Sequence, residues 1–186
     1  MVRNQTVLIT GASSGIGYEL AQLFARDQYN LVLVARSKAK LEELKRELEK
    51  EIQVTIIAQD LTQPQAASEV YRILQEEQIE IDILVNNAGY GLHGHFADLD
   101  LEQQVNMIQL NMLVLTQLTH LLLQGMLERK YGRILNIGSV ASFLAVPMMS
   151  VYAATKAFVL SFSESLDSEL KGKGDISVTV LCRFMA

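Results

Sequence analysis

The sequence predicts an α/β fold, a doubly wound parallel sheet held between helices in three αβα layers. Three observations lead there. Short β-branched runs alternate with helical patterns from one end of the chain to the other. The runs are continuously apolar rather than alternating, as strands covered on both faces are. No linker, repeat or composition break interrupts them, so residues 1–186 read as one domain.

The elements follow in order. Residues 6–10 (Thr6-Val7-Leu8-Ile9-Thr10) read as a buried strand, then a Gly-rich turn, then a helix over 16–27. Residues 31–35 are a second strand. The charged segment 37–51 carries Leu41, Leu44 and Leu48 on one face and many i,i+4 charge pairs. Its heptad register is too brief for a coiled coil, so it reads as a solvated outer helix. Strands are expected at 54–58, 81–85, 133–137 and 176–181, and helices at 65–78, 101–129 and 151–171. Regular β-α alternation with right-handed crossovers gives the doubly wound order.

Composition narrows the function. At 49% hydrophobic and 20% charged over 186 residues, the chain has enough apolar material for a sizeable core. Sixteen Lys+Arg against 21 Asp+Glu give a net charge of -5 without a basic run, which argues against a nucleic-acid partner. Cys182 is the one cysteine and cannot form an internal disulfide; with no signal-peptide pattern at the start, the expected setting is cytoplasmic. Residues 107–127 are long enough to cross a bilayer. Gln109, Asn111, Gln117, His120 and Gln124 interrupt them, so the segment reads as a buried helix and no membrane partner is expected.

The turn after the first strand, Thr10-Gly11-Ala12-Ser13-Ser14-Gly15-Ile16-Gly17, has the composition of a pyrophosphate cradle. Gly11 permits the sharp turn, Gly15 lets backbone approach the anion, and Gly17 allows close helix–strand contact. The helix N-terminus presents free N–H groups and a positive dipole end, and Ser13 and Ser14 add hydroxyls beside Ile16. The pattern Thr-Gly-x-x-x-Gly-x-Gly is expected about 0.002 times by chance in this composition. Dinucleotide binding in a Rossmann-like sheet follows. At the end of the second strand, where an NAD site places a carboxylate, stands Ala35-Arg36-Ser37; the Arg36 guanidinium suits a 2′-phosphate, so NADP(H) is the expected cofactor.

Tyr152 and Lys156 are four apart and share one face of a helix. An ammonium beside a phenol favours the phenolate, which makes Tyr152 a usable general acid or base, and Ser139 can hydrogen-bond the same substrate oxygen. Tyr-x-x-x-Lys with Ser thirteen residues upstream arises roughly 0.02 times by chance.

These pieces, with Asp60-Leu61, Asn86-Asn87-Ala88-Gly89 and Asn111, stand in the order found in the short-chain dehydrogenase/reductase family, which the sequence resembles from Val7 to about Leu181. It looks most like bacterial NADP-dependent members that interconvert ketones and alcohols. The resemblance implies strand order 3-2-1-4-5-6 and roles for further residues. Asp60 and Leu61 would contact adenine, and Asn87, Ala88 and Gly89 would line the cofactor. Asn111 would hold a water joining Lys156 to solvent, and Lys156 would also bind the nicotinamide ribose. The catalytic candidates are therefore Asn111, Ser139, Tyr152 and Lys156.

His93, His95 and His120 lack partners at metal-ligand spacing, so no metal is expected. Cys182 reads as a small core residue. The apolar helices carrying Asn111 and Tyr152 correspond to a family dimer interface, which implies a homodimer. After Cys182 the family pattern continues with Pro-Gly, a nicotinamide-contacting Thr, a substrate lid and a last strand, none of which follows here. A C-terminally truncated or frameshifted member is expected, lacking the lid. Two functions follow: an active oxidoreductase on a small ketone or alcohol, or a module that binds NADP(H) with little turnover. A non-enzymatic partner protein has only the apolar helices in its favour.

Overall fold

The computed structural model describes residues 5–50 and 52–183. Six strands form one sheet in the order β3-β2-β1-β4-β5-β6, every neighbouring pair parallel. They are β1 (Thr6–Thr10), β2 (Asn30–Ala35), β3 (Val54–Ala58), β4 (Ile83–Asn86), β5 (Tyr131–Ile137) and β6 (Asp175–Leu181). The helices are α1 (Gly15–Arg26), α2 (Lys38–Leu48), α3 (Ala66–Glu76), α4 (Leu101–Ile108), α5 (Leu115–Arg129) and α6 (Ser150–Leu170). Each predicted element is present, with its ends moved by no more than two residues except in the second helix, which stops at Leu48 rather than at 51, and in the helix over 101–129, which is divided in the middle. The sheet order and the three-layer architecture are those implied by the sequence.

Two apolar clusters hold the layers together. On one face, Val7, Ile9, Leu31 and Leu33 meet Ala21 of α1 and Leu41 and Leu44 of α2. On the other, Leu8, Val32, Leu84 and Ile134 meet Val70 and Leu74 of α3 and Leu118, Leu122 and Met126 of α5, with Leu170 of α6. Leu8, Ile9 and Leu33 are wholly buried. A buried leucine of this kind contributes roughly 1.5–3 kcal/mol by removal from water. Continuous burial holds for β1 and β2 but not for β6, where Ile176 and Val178 are buried while Asp175, Thr179 and Leu181 are exposed. Among the described residues, β6 is covered on the face of Ile176 and Val178 by the α3–α5–α6 layer.

Local signals set the helix ends. The Ser37 hydroxyl accepts the Lys40 N–H at 3.4 Å to start α2, and the Asp100 carboxylate accepts the Gln103 N–H at 2.8 Å to start α4. Lys130, in the left-handed region at φ 55, ends α5 and turns the chain directly into β5. The helix Leu101–Arg129 is long and apolar enough to cross a membrane by length and composition. Here its Val114, Leu118, Leu122 and Met126 pack against the sheet as core. It is not regular throughout: Gln109–Val114 between α4 and α5 is a π turn, a feature the periodicity does not announce.

A chain of buried amides and hydroxyls ties the centre of the sheet to α5 and α6. Asn86 and Asn136 face each other in register on β4 and β5. The Asn86 amide donates to Asn136 Oδ1 at 2.9 Å and to Thr119 Oγ1 at 3.1 Å. The Asn136 amide donates to Ser163 Oγ at 2.9 Å, and the Ser163 hydroxyl donates to the Val159 carbonyl at 2.6 Å. All four side chains are buried, so each bond satisfies a group that water cannot reach. Asn136→Leu leaves one donor of the Asn86 amide without an acceptor, and is expected to lower the free energy of unfolding in urea by about 1–3 kcal/mol.

Candidate active site

The ends of β1, β4 and β5 open into a cleft of about 680 Å³, large enough for a cofactor. One close crossing shapes it. Gly11 lies at φ +67, and a Cβ on Gly17 would sit 2.4 Å from the Gly11 carbonyl oxygen and 2.5 Å from Asn87 Nδ2. The Asn87 amide donates to the carbonyls of Thr10 at 2.8 Å and Gly11 at 3.2 Å. The Thr10 hydroxyl in turn accepts the N–H groups of Asn87 and Ala88, both at 3.0 Å. The turn and the end of β4 are thereby clamped as one unit.

The clamp leaves the start of α1 exposed. Gly15, at φ +57, has nothing within 4 Å of where a Cβ would stand. Ser14 occupies the N-cap position in extended backbone but makes no side-chain cap, so the first N–H groups of α1 face the cleft unpaired by it. This is an anion cradle of backbone donors at a positive dipole end, and the residues fit a pyrophosphate. Gly11, Ser13, Ser14, Gly15 and Ile16 line the cleft; Gly17 is buried behind it and acts through packing.

Farther along the same wall stand Arg36, Ser37 and Lys40, then Asp60 and Leu61. Burial works against ionisation of Asp60, but the N–H and hydroxyl of Thr62, at 3.0 and 2.8 Å, together with the Arg36 charge, hold its carboxyl below the usual range. Lys40 has no place among the sequence candidates. A signal for it exists: α2 begins with Lys38 and Lys40 and has no acid in its first turn, against the helix dipole, as expected where an anion is to be received.

At the other end the cleft is lined by Asn87, Ala88, Gly89, Ser139, Tyr152 and Lys156. Ser139 lies just past β5, where its hydroxyl oxygen accepts the Ala141 N–H at 3.1 Å, leaving the hydroxyl hydrogen available. The Lys156 ammonium donates to the Ile137 carbonyl at 2.7 Å and lies 5.8 Å from the centre of the Tyr152 ring. Burial lowers its pKa to about 8, with the nearby Cys182 thiol opposing. Cys182 itself is half-buried beside Gly138 rather than a core residue, and lies just beyond β6.

Asn111 does not line the cleft. It is buried in the π turn behind it, where its Oδ1 accepts the Tyr90 N–H at 3.2 Å. Its amide donates to the Tyr90 carbonyl at 3.0 Å and to Thr155 Oγ1 at 3.1 Å. A Cβ on Gly89 would stand 2.8 Å from Asn111 Oδ1 and 3.7 Å from Lys156 Nζ, so the absence of a side chain at Gly89 keeps the gap between those two groups open. Tyr90 and Thr155 were missed by sequence reasoning because the side chain they bind, Asn111, is distant from both in sequence.

Fold and site together describe a dinucleotide-binding α/β domain with a Ser-Tyr-Lys constellation. The chain belongs to the short chain dehydrogenase family, whose model matches residues 5–185. It is 37% identical to the human very-long-chain 3-oxoacyl-CoA reductase, over 96% of this chain and 59% of that protein. It is 35% identical to the ketoacyl reductase HetN of Nostoc sp., over 96% of this chain and 62% of the relative. Among solved structures, a short-chain dehydrogenase from Sphingobium yanoikuyae in complex with NADPH superposes with a TM-score of 0.91 at 41% identity, over 98% of this chain and 71% of that one. The bulky-bulky ketone specific alcohol dehydrogenase from Comamonas testosteroni gives 0.90 at 40%, over 97% and 72%. The chain thus spans about 60% of the length of the curated relatives it matches.

The buried Lys156 has a signature in stability. Below about pH 8 its ammonium is charged in the folded and unfolded chain alike, and the folded state bears the desolvation cost. Between about 8 and the ordinary 10.5 only the unfolded chain holds the proton, so stability rises with pH through that window. Measured against Lys156→Met by urea unfolding, the wild type is expected to gain up to about 3 kcal/mol from pH 7.5 to 10.5.

Proposed function

We propose that the protein is an NADP(H)-dependent oxidoreductase that interconverts a small-molecule ketone and its alcohol by hydride transfer. The observation that carries this reading is one continuous cleft running from the open N-terminus of α1 to Ser139, Tyr152 and Lys156. The names of its relatives, reductases and an NADPH complex among them, support the same chemistry.

The first N–H groups of α1 hold the pyrophosphate. Arg36, Lys40 and the Ser37 hydroxyl receive the 2′-phosphate, two cations where an NAD site would place a carboxylate. Asp60 and Leu61 meet the adenine. A bound nicotinamide supplies the hydride. The chain's own residues manage the oxygen: Ser139 donates its free hydroxyl hydrogen to the carbonyl oxygen, and Tyr152 donates a second hydrogen bond and then the proton. Lys156 places a positive charge beside the Tyr152 ring and binds the nicotinamide ribose, and Asn111 borders the gap through which Lys156 recovers a proton by way of water. The setting is cytoplasmic, in keeping with the lone cysteine.

A second reading is a module that binds NADP(H) and turns over little. NADPH fluorescence with a panel of ketones and aldehydes separates the two, since binding without consumption selects the module. The exposed Leu101, Val105, Ile108 and Leu113 along the helix Leu101–Arg129, with α6, support a homodimer; a monomer by light scattering at micromolar concentration removes that part.

Tyr152→Phe is expected to lower kcat by about 10²-fold or more while NADPH binding stays within threefold, since only the proton donor is lost. Arg36→Ala and Lys40→Ala are each expected to weaken NADPH binding by about tenfold and to leave NADH binding unchanged, as loss of a charge-assisted bond to phosphate requires. Fluorescence titration with both nucleotides checks this.

A further inference from the structure

We infer that Thr155, between Tyr152 and Lys156 on α6, is a positioning residue that latches the catalytic helix to the π turn. The inference deepens the oxidoreductase reading and rests on it for its effect on turnover. The Thr155 hydroxyl is shared between two bonds: it donates to the Tyr152 carbonyl at 2.7 Å and accepts from the Asn111 amide at 3.1 Å. Thr155 and Asn111 are both nearly inaccessible to solvent, so no water can take over either bond.

The bonds run in series through three elements. The Tyr90 backbone, in the segment that follows β4, gives its N–H to Asn111 and takes the amide of the same side chain. Asn111 passes a hydrogen bond to Thr155, and Thr155 passes one to the carbonyl of the proposed proton donor. The π turn has the backbone geometry that sets Asn111 between its partners; a regular helix seldom departs from i→i+4 without such a reason. The hydroxyl is what the position needs. Valine has nearly the same shape but offers Asn111 no acceptor and Tyr152 no donor. Serine keeps both.

Removal of the latch frees the Asn111 amide to rotate, and with it the segment at Tyr90 and Gly91, which packs on the Tyr152 ring: a Cβ on Gly91 would stand 2.9 Å from Tyr152 Cδ2. The cradle at α1 is untouched, so cofactor affinity and turnover separate.

The test compares Thr155→Val, Thr155→Ser and Tyr152→Phe with the wild type in NADPH-dependent ketone reduction and in amide hydrogen exchange. The expected result for Thr155→Val is a kcat at least tenfold lower with the KM for NADPH within twofold. Exchange over residues 88–94 and 108–114 is expected to be at least tenfold faster. Thr155→Ser restores both readings to within threefold of the wild type. Should Thr155→Val not fold, Thr155→Ala carries the same expectation. Unchanged kcat or unchanged exchange in the variant without a hydroxyl overturns the inference, as does a serine variant as impaired as valine. A wild type no faster than Tyr152→Phe defeats the oxidoreductase reading instead, and the exchange rates then decide the latch by themselves.

Discussion

No side chain fits where Gly17 passes Gly11, and the rest of the site depends on that contact. A methyl group there would lie 2.4 Å from a carbonyl oxygen that also accepts from the Asn87 amide. Because α1 can come this close to β1, its N-terminus points into the space beyond the sheet rather than over its face. The same closeness brings Asn87 within reach of the Thr10 and Gly11 carbonyls, so the end of β4 is fastened to the Gly-rich turn. Packing density at one glycine is converted into the direction of a helix dipole.

The reactive end depends on polar groups held without water. Asn86, Asn136, Thr119 and Ser163 fix β4 and β5 to α5 and α6 from below. Asn111 and Thr155 fix the π turn to α6 from the side. A buried amide is worth little net when satisfied and costs much when orphaned, so such chains select one arrangement of helices over its near neighbours. Lys156 is the exception in sign: its burial disfavours the ammonium, and one carbonyl bond from Ile137 offsets part of that cost. A lysine drawn down to about 8 can give and regain a proton near neutrality, whereas an ordinary one cannot.

Much of this was legible in the sequence where function rests on neighbours in the chain. Gly11, Gly15 and Gly17 occupy one turn, and Tyr152 and Lys156 one helical face, so spacing alone placed them. β1 and β2 read correctly because their inner positions, Val7 to Ile9 and Leu31 to Ala35, are apolar without a break. The sequence reading failed where a residue's partner lies on another element. Tyr90 and Thr155 bind Asn111 across 21 and 44 residues, and a polar side chain in a helix or turn looks the same whether its partner is water or a distant amide. The π turn was hidden for a related reason: one extra residue shifts the helical phase by about 100°, but the residues on both sides are apolar over several faces, so the pattern shows no break. At β6 Ser177 and Thr179 alternate with Ile176, Val178 and Val180, and the face those apolar residues share is the one the structure covers.

Charge gives the last constraint. The chain carries a net -5, so at long range it repels an anionic dinucleotide. At physiological ionic strength that repulsion is screened beyond roughly 8 Å, and what remains is local. Locally the sign reverses: the open end of α1, Arg36 and Lys40 line one wall, while Asp60 on the same wall is occupied by Thr62 and faced by Arg36. Recognition of the anion is therefore a property of a few donors at close range.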